Sequence, residues 1–189
     1  MALTRRLLIV WCSMTGGTRQ LAQAARQGAA RAGVEPERPA RPDLPADGIA
    51  QEPGAGGVEV LMLRADEAGP SDVLAASAYL FATPENLASM AGVMKDFFDR
   101  SYYAALDRVN GRPYASIVCA GSDGRGAAGQ VARICTGLRL RAVADPLIVC
   151  VRAQTPSEIL YPKSIAPDEC ERAAQLGEAM AAGLALGIW

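Results

Sequence analysis

The stretch LLIVWCSMTGGTRQLAQ, residues 7–23, joins an apolar run to a helical pattern through a loop of small and hydroxyl-bearing residues. Residues 7–12 have the length and apolar character of a strand. Residues 17–32 place apolar side chains at helical spacing, at Leu21, Ala25, Ala29 and Ala32. The loop between them, SMTGGT at 13–18, raises the question of whether it binds an anion.

The alternation of strand and helix continues along the chain. Apolar runs of strand length recur at 58–63, 77–82, 114–120 and 146–151. With residues 7–12 counted as the first strand, helical spacing follows the third, fourth and fifth strands. The stripe after the third strand comprises Met90, Val93, Met94, Phe97 and Phe98. Because the strands are apolar throughout, we expect helices on both faces of a five-stranded parallel sheet, an α/β fold.

One segment interrupts this alternation. Residues 35–57 contain five prolines and four glycines and show no periodicity. Such a composition is typical of a loop rather than of a boundary between domains. We therefore expect residues 1–189 to form a single domain with a Pro/Gly-rich loop insertion at 35–57.

The composition excludes several classes of function. The chain has no histidine, which excludes Ser-His-Asp and Cys-His catalysis and histidine metal sites. Its formal charge of −1 gives no reason to expect a nucleic-acid partner, and no apolar run is long enough to span a membrane. Five widely spaced cysteines predict reduced thiols, no metal site and a cytoplasmic location.

Three loops are expected to meet at the carboxyl edge of the sheet, where open α/β sheets bind ligands. They are residues 13–18, 83–90 and 121–129. The first could bind an anion through backbone amides, the N-terminus of the next helix and its hydroxyl groups. A helix cap with turn glycines, which needs no ligand, explains the same residues equally well.

The first loop lacks the residues that an NTP-binding P-loop needs. That motif requires a lysine followed by serine or threonine after its last glycine, whereas Thr18 and Arg19 follow Gly17. We therefore expect a single terminal phosphate, held by hydroxyls and amides without a cation. A second pattern, GRGAAG at 124–129, matches G-x-G-x-x-G, but three residues separate it from the strand and Asp145 precedes the next strand instead of ending it. A dinucleotide site there is not expected.

Together the three loops resemble those of the flavodoxin-like FMN-binding family, closest to its NAD(P)H-dependent oxidoreductases. SMTGGT is similar to the family's S-x-T-G-x-T phosphate loop, and ATPENLASMAGVMKDFFDR at 82–100 is similar to its second flavin loop and helix. The resemblance implies a flavodoxin-like three-layer sandwich with five parallel strands in the order 2-1-3-4-5. It also implies FMN as the cofactor and NADPH or NADH as the electron donor.

The resemblance assigns roles to residues in each loop. Around the FMN phosphate it places Ser13, Met14, Thr15, Gly16, Gly17 and Thr18. Along the ribityl chain and ring it places Thr83, Pro84, Glu85, Asn86, Leu87 and Met90. At the other edge of the ring it places Gly121, Ser122 and Asp123. A core position for Met90 and a turn role for Asp123 are open alternatives, and no catalytic side chain is implied.

The chain departs from relatives that carry aromatic residues beside the flavin. Its second loop has none, so Leu87 is expected to cover that surface, and Tyr102 or Tyr103 could approach it. Dimers are common in the family, and a homodimer could supply an aromatic residue. The near-neutral charge favours an oxidoreductase with a quinone or another small acceptor. A flavodoxin-type electron carrier and a cofactor-free binding module remain as alternatives.

Overall fold

The computed structural model describes residues 5–32, 36–37 and 57–189. In chain order the elements are β1 (Arg5–Trp11), α1 (Gly17–Arg31), β2 (Pro36–Glu37), β3 (Val58–Arg64), α2 (Pro70–Ala75), β4 (Ala78–Asn86), β5 (Ser89–Met90), α3 (Gly92–Ala105), β6 (Pro113–Ala120), α4 (Arg125–Gly137), β7 (Arg141–Ala142), β8 (Leu147–Cys150), α5 (Pro156–Leu160) and α6 (Pro167–Leu186). The predicted loop at 35–57 lies outside the described residues, except for 36–37 and Gly57.

The long strands form a parallel sheet with β1 at its centre. β1 pairs with β3 on one side and with β4 on the other, and β6 lies between β4 and β8. Counted over these five strands, the order is the predicted 2-1-3-4-5. Two short strands extend the sheet, since β2 pairs with β3 and β7 with β6. Five strands were predicted, and the described residues form seven parallel ones.

The sheet separates two apolar layers, as its uninterrupted apolar strands predict. Alternate side chains of a strand point to opposite faces. Leu8 and Val10 of β1 therefore pack with α3 and α4, whereas Leu7 and Ile9 pack with α1 and α6. Helices thus cover both faces, and the buried strands hold the carboxyl edge of the sheet in a fixed arrangement.

The strand order reverses between β1 and β4. From β1 the chain goes to β3 on one side, and then crosses to β4 on the other. The loops that follow these two neighbouring strands consequently diverge and leave a crevice at the carboxyl edge. β6 and β8 extend the same edge on the side of β4.

The apolar stripe predicted after the third strand is partly wrong. Met94, Phe97 and Phe98 are buried on α3 as expected, but Val93 is exposed and Met90 lies in a strand. The reason is that β4 continues to Asn86 and turns back to form an antiparallel pair with β5. The helix therefore begins only at Gly92.

No helix within residues 5–32, 36–37 and 57–189 is long and apolar enough to cross a membrane.

Candidate functional site

A cavity of about 520 Å³ opens at the carboxyl ends of β1, β4, β6 and β8. Four segments line it: residues 13–18 after β1, the turn after β4, the loop after β6 and a segment after β8. Its volume is in the range of sites that bind cofactors and drug-sized ligands. The three loops expected to meet at this edge therefore do meet, and a fourth segment joins them.

The 13–18 loop is closed by its own side chain. The Ser13 Oγ accepts a hydrogen bond from the Gly16 backbone N–H at 3.0 Å, and Gly16 has a φ of 90°, a left-handed conformation that favours glycine. α1 begins directly after it at Gly17. The first N–H groups of a helix have no partner within the helix, and they carry a partial positive charge. This end of the cavity is therefore suited to an anion.

The Thr18 hydroxyl adds a second feature of an anion site. Thr18 lines the cavity, is only 1% exposed, and its Oγ1 has no hydrogen bond of regular geometry in the described part of the chain. Its polar neighbour is the thiol of Cys119. A buried hydroxyl without a partner costs free energy. Its place in the cavity wall makes it accessible to an acceptor bound there.

The turn after β4 forms one side of the cavity, which we call the hairpin wall (residues 84–90). Asn86 pairs with Ser89, and the two residues between them, Leu87 and Ala88, have φ values of 52° and 59°. Two-residue turns of this kind favour Asn-Gly, because both positions need a positive φ. Leu87 is fully exposed at the tip of the turn. The chain thus keeps an apolar, backbone-strained tip at the mouth of the cavity.

The hairpin wall is held by the N-terminal part of α4. The Glu85 carboxylate accepts from the Gly124 N–H at 2.8 Å, and Gln130 accepts from the Met90 N–H at 2.9 Å and donates to the Ser89 hydroxyl at 3.1 Å. Gly124 is the first glycine of the GRGAAG pattern. Since a carboxylate already accepts from its N–H, that pattern does not present this amide to a phosphate.

The fourth side of the cavity is the α5 segment (residues 151–165), which the motifs did not indicate. Val151, Ala153, Ile159 and Lys163 of this segment line the cavity. A signal was present in the sequence: TPSE at 155–158 is a capping box with proline at the first helical position. Lys163 brings an ammonium group to a site expected to lack a cation, but its Nζ donates to the backbone carbonyls of Glu158, Ile159 and Tyr161.

Most of the predicted site residues line this cavity. Those that do are Ser13, Met14, Thr15, Gly17, Thr18, Pro84, Glu85, Asn86, Leu87, Gly121 and Ser122. The predicted residues that are not part of the lining are Gly16, Thr83, Met90 and Asp123. The lining residues that sequence reasoning missed are Ala88, Cys119, Ala120, Val151, Ala153, Ile159 and Lys163.

The residues outside the lining have visible structural roles. Thr83 is buried, and its hydroxyl accepts from the Ala91 N–H at 3.2 Å. Met90 is buried in the core beside α3, and Asp123 forms an ion pair with Arg125 at 2.6 Å. Neither Tyr102 nor Tyr103 belongs to the lining.

Two thiols lie close to the cavity. Burial raises the pKa of Cys119, at the cavity floor, from its ordinary 9.0 to about 11. Burial also raises the pKa of Cys12, whose Sγ lies 3.7 Å from the Thr83 hydroxyl. Both thiols therefore stay protonated at neutral pH, when a thiolate would be needed for nucleophilic chemistry. Within the described residues, no three Cys, Asp or Glu side chains cluster as a metal site.

About the first four-fifths of the chain match the sequence model of a known family. The sequence model of the family described as "NADPH-dependent FMN reductase" matches residues 5–153. A curated relative, "NAD(P)H dehydrogenase (quinone)" from Archaeoglobus fulgidus, is 30% identical over 104 residues, which is 54% of this chain. The match likewise covers 54% of that relative, so the chain spans about half the length of the curated relative it matches.

Solved structures share the fold at low sequence identity. A flavodoxin from the domain Archaea matches with a TM-score of 0.65 and 14% identity, over 93% of this chain and 96% of that one. A WrbA-like flavodoxin protein from Agrobacterium tumefaciens matches with a TM-score of 0.65 and 14% identity, over 97% of this chain and 98% of that one. These similarities confirm the predicted flavodoxin-like fold.

Proposed function

Because the chain belongs to the NADPH-dependent FMN reductase family, we propose that it is an FMN-dependent oxidoreductase that accepts electrons from NADPH or NADH. The observation that carries the proposal is the Thr18 hydroxyl, which is buried in the wall of the cavity and has no hydrogen bond of regular geometry among the described residues. It lies in the first turn of α1, where backbone N–H groups also lack partners. A terminal phosphate satisfies all of these donors at once.

The residues present fit FMN along the whole cavity. The 13–18 loop receives the phosphate, as it contributes hydroxyls and helix N–H groups. The hairpin wall and the loop at Gly121 and Ser122 supply backbone and small side chains along the ribityl chain and ring. Met14, Leu87 and Ile159 place three apolar side chains around the mouth, on three different segments. A flat aromatic ring gains most from apolar contacts of this kind.

The protein's own part in the reaction is to bind, orient and enclose. FMN supplies the transfer of electrons when it is bound, so a chain without histidine is sufficient. The Glu85 carboxylate is fixed by the Gly124 N–H, which makes it a source of negative potential beside the cavity rather than a mobile base. With FMN bound, this charge would oppose the build-up of further negative charge nearby.

The acceptor is a small molecule, and we propose a quinone by analogy with the name of the curated relative. The exposed Leu87 and Met14 at the cavity mouth support a homodimer in which a second copy covers them. We further propose that residues 1–189 act as one flavodoxin-like domain in the cytoplasm. The five cysteines, all of them free thiols, support a reducing compartment.

The decisive experiment follows the visible absorbance of FMN bound to the purified protein. Addition of NADPH or NADH without oxygen should bleach it, and a quinone should restore it. Bound FMN that neither nucleotide bleaches would instead indicate an electron carrier. A protein that does not bind FMN even at micromolar concentrations would be a cofactor-free binding module.

The phosphate assignment is tested by Thr18→Val, which removes the hydroxyl and keeps the volume. We expect FMN to bind about 10-fold to 100-fold more weakly, because a hydrogen bond to a charged group contributes about 1.5–3 kcal/mol. Riboflavin, which lacks the phosphate, should bind unchanged. Ser101→Ala is the matched control, since Ser101 is another buried hydroxyl without a partner but lies outside the cavity. Equal losses for FMN and riboflavin would contradict the assignment.

A further inference from the structure

The helix of the α5 segment has little attachment of its own to the core, whereas Val151 and Ile165 at the two ends of the segment contact the core beside α1 and α6. No residue of α5 is buried, and the Leu160 and Tyr161 side chains at its end are mostly exposed. Side chains buried in a core normally fix the position of a helix. The position of the helix α5 between these two ends must therefore depend on hydrogen bonds.

Those hydrogen bonds converge on one side chain, the amide of Gln20 in α1. Its Nε2 donates to the Lys163 carbonyl at 2.6 Å and to the Gly16 carbonyl at 3.1 Å. Its Oε1 accepts from the Ile165 N–H at 3.1 Å. The Gln20 amide thus joins the 13–18 loop to the Lys163 carbonyl and the Ile165 N–H, which lie on either side of residue 164.

Lys163 continues the connection into α5. Its backbone N–H donates to the Thr15 carbonyl at 2.8 Å. Its Nζ donates to carbonyls in the last turn of α5, at 3.0 Å for Ile159 and 2.5 Å for Tyr161. The path from the anion loop to the helix therefore consists of consecutive hydrogen bonds through Gln20 and Lys163.

An anion in the 13–18 loop acts on the same peptide groups. The Gly16 carbonyl that Gln20 contacts belongs to the peptide unit whose N–H is that of Gly17, at the start of α1. When an anion accepts from one end of a peptide unit, the unit is fixed and polarised, which strengthens the hydrogen bond at its other end. Anion binding should therefore tighten the hold on Lys163 and on α5.

We propose that Gln20 is a positioning residue that couples occupancy of the phosphate site to the placement of the α5 segment. The inference rests on the proposed function, because it takes the 13–18 loop as the phosphate site. It gives that site a second role, in which a bound FMN phosphate sets the α5 wall, with Ile159, against the far side of the cavity. By linkage, a fixed α5 segment also raises the affinity of the loop for phosphate.

The test is hydrogen exchange of the backbone amides of residues 157–161 and 163, with inorganic phosphate as the probe. FMN itself is less suitable, since its ring could protect α5 by direct contact. Phosphate should slow exchange about fivefold or more in the wild type, and Gln20→Met should abolish that difference. The same variant should bind phosphate more weakly by the same factor.

Gln130→Met is the matched control, because Gln130 makes the equivalent contacts to the hairpin wall on the opposite side. It should leave the phosphate effect on the amides of residues 157–161 and 163 unchanged. A role for Gln20 limited to stability would raise exchange equally with and without phosphate, and that result would overturn the proposal. So would a wild type that binds FMN but shows no phosphate effect on α5.

Lys163→Met provides a second variant that keeps the core of α1 intact. It removes the Nζ contacts to α5 but retains the backbone hydrogen bonds of residue 163. Phosphate should still protect the amides of residues 163 and 165, but no longer those of residues 157–161. A failure of the proposed function is distinguishable, because it appears as a wild type that does not bind FMN.

Discussion

The two sides of the cavity, the hairpin wall and the α5 segment, are built in opposite ways. The hairpin wall continues a central strand, has the buried Met90 at its base, and contacts α4 through Glu85 and Gln130. The α5 segment follows a short edge strand, buries nothing in its helix, and is held through Gln20 and Lys163. One side is therefore part of the rigid scaffold, whereas the other can respond to what is bound.

The difference in how the two walls are attached suits two different roles, one in positioning a cofactor and one in admitting it. A wall that continues a buried strand fixes one edge of a cofactor at a set distance from the sheet. A wall attached by a few hydrogen bonds has a low local stability and can open to admit a ligand. Functional movement is therefore expected in the α5 segment rather than in the hairpin.

The largest effect is expected from crowding the hairpin wall. A Cβ at Gly126 would lie 2.1 Å from the Ala88 carbonyl oxygen, so Gly126→Ala must displace the turn. We expect a loss of about 1–3 kcal/mol in the free energy of unfolding and FMN binding weakened by at least about 10-fold. Thermal unfolding and fluorescence titration of FMN measure the two quantities.

Two glycines provide the comparison for that variant. A Cβ at Gly129, also on α4, would meet nothing within 4 Å, so Gly129→Ala should be neutral or stabilising. A Cβ at Gly121 would lie 2.8 Å from the Ala153 carbonyl oxygen in the α5 segment. Because that segment can yield, Gly121→Ala should cost less than Gly126→Ala. An equal or larger cost would show that the α5 segment is as rigid as the hairpin.

A smaller effect is expected in the reactivity of Cys119, between the two walls. With a pKa of about 11, its thiolate fraction at pH 8 is about 100-fold below that of a thiol at 9.0. Its alkylation should be slow at pH 8 and rise about tenfold per pH unit towards pH 11, whereas the exposed Cys150 should react first. Mass spectrometry of the labelled peptides measures both rates.

The labelling rate of Cys119 in variants of the two walls shows which side of the cavity opens. Cys119 shares its surroundings with Gly17, and a Cβ at Gly17 would meet both Cys119 and Lys163. Gln20→Met should therefore speed the labelling of Cys119, and Gln130→Met should not. The reverse order would assign the mobile side to the hairpin.

The smallest expected effect is the release of backbone strain. Leu87→Asn with Ala88→Gly supplies the residues that a turn with two positive φ angles favours, and should stabilise the protein by about 1–2 kcal/mol. Arg152, in the α5 segment, has a single positive φ of 54°, so Arg152→Gly should gain about half as much. Denaturant unfolding measures both. No gain in the turn variant would mean that the hairpin carries no strain.

Patterns among residues that are close in the sequence were sufficient to predict the parallel sheet, its helices and the 13–18 loop. Apolar runs that are buried on both faces predicted the parallel strands, and the spacing of glycines and hydroxyls in residues 13–18 predicted the loop. The helical spacing that follows the fifth strand corresponds to α6, on which Met180 and Leu184 are buried. Each of these features depends on residues that are close in the chain, so the pattern contains the information.

The tertiary structure decided what distant residues do to one another. It showed that the Thr18 hydroxyl has no hydrogen bond of regular geometry among the described residues, and that Glu85 accepts from the Gly124 N–H of the GRGAAG pattern. It also placed Lys163 in the cavity wall, next to Thr15. Gln20 and Lys163 are 143 positions apart, and no local spacing links them. Local periodicity follows from the geometry of single helices and strands. Contacts between segments depend on how the sheet brings its carboxyl ends together, which only the folded chain specifies.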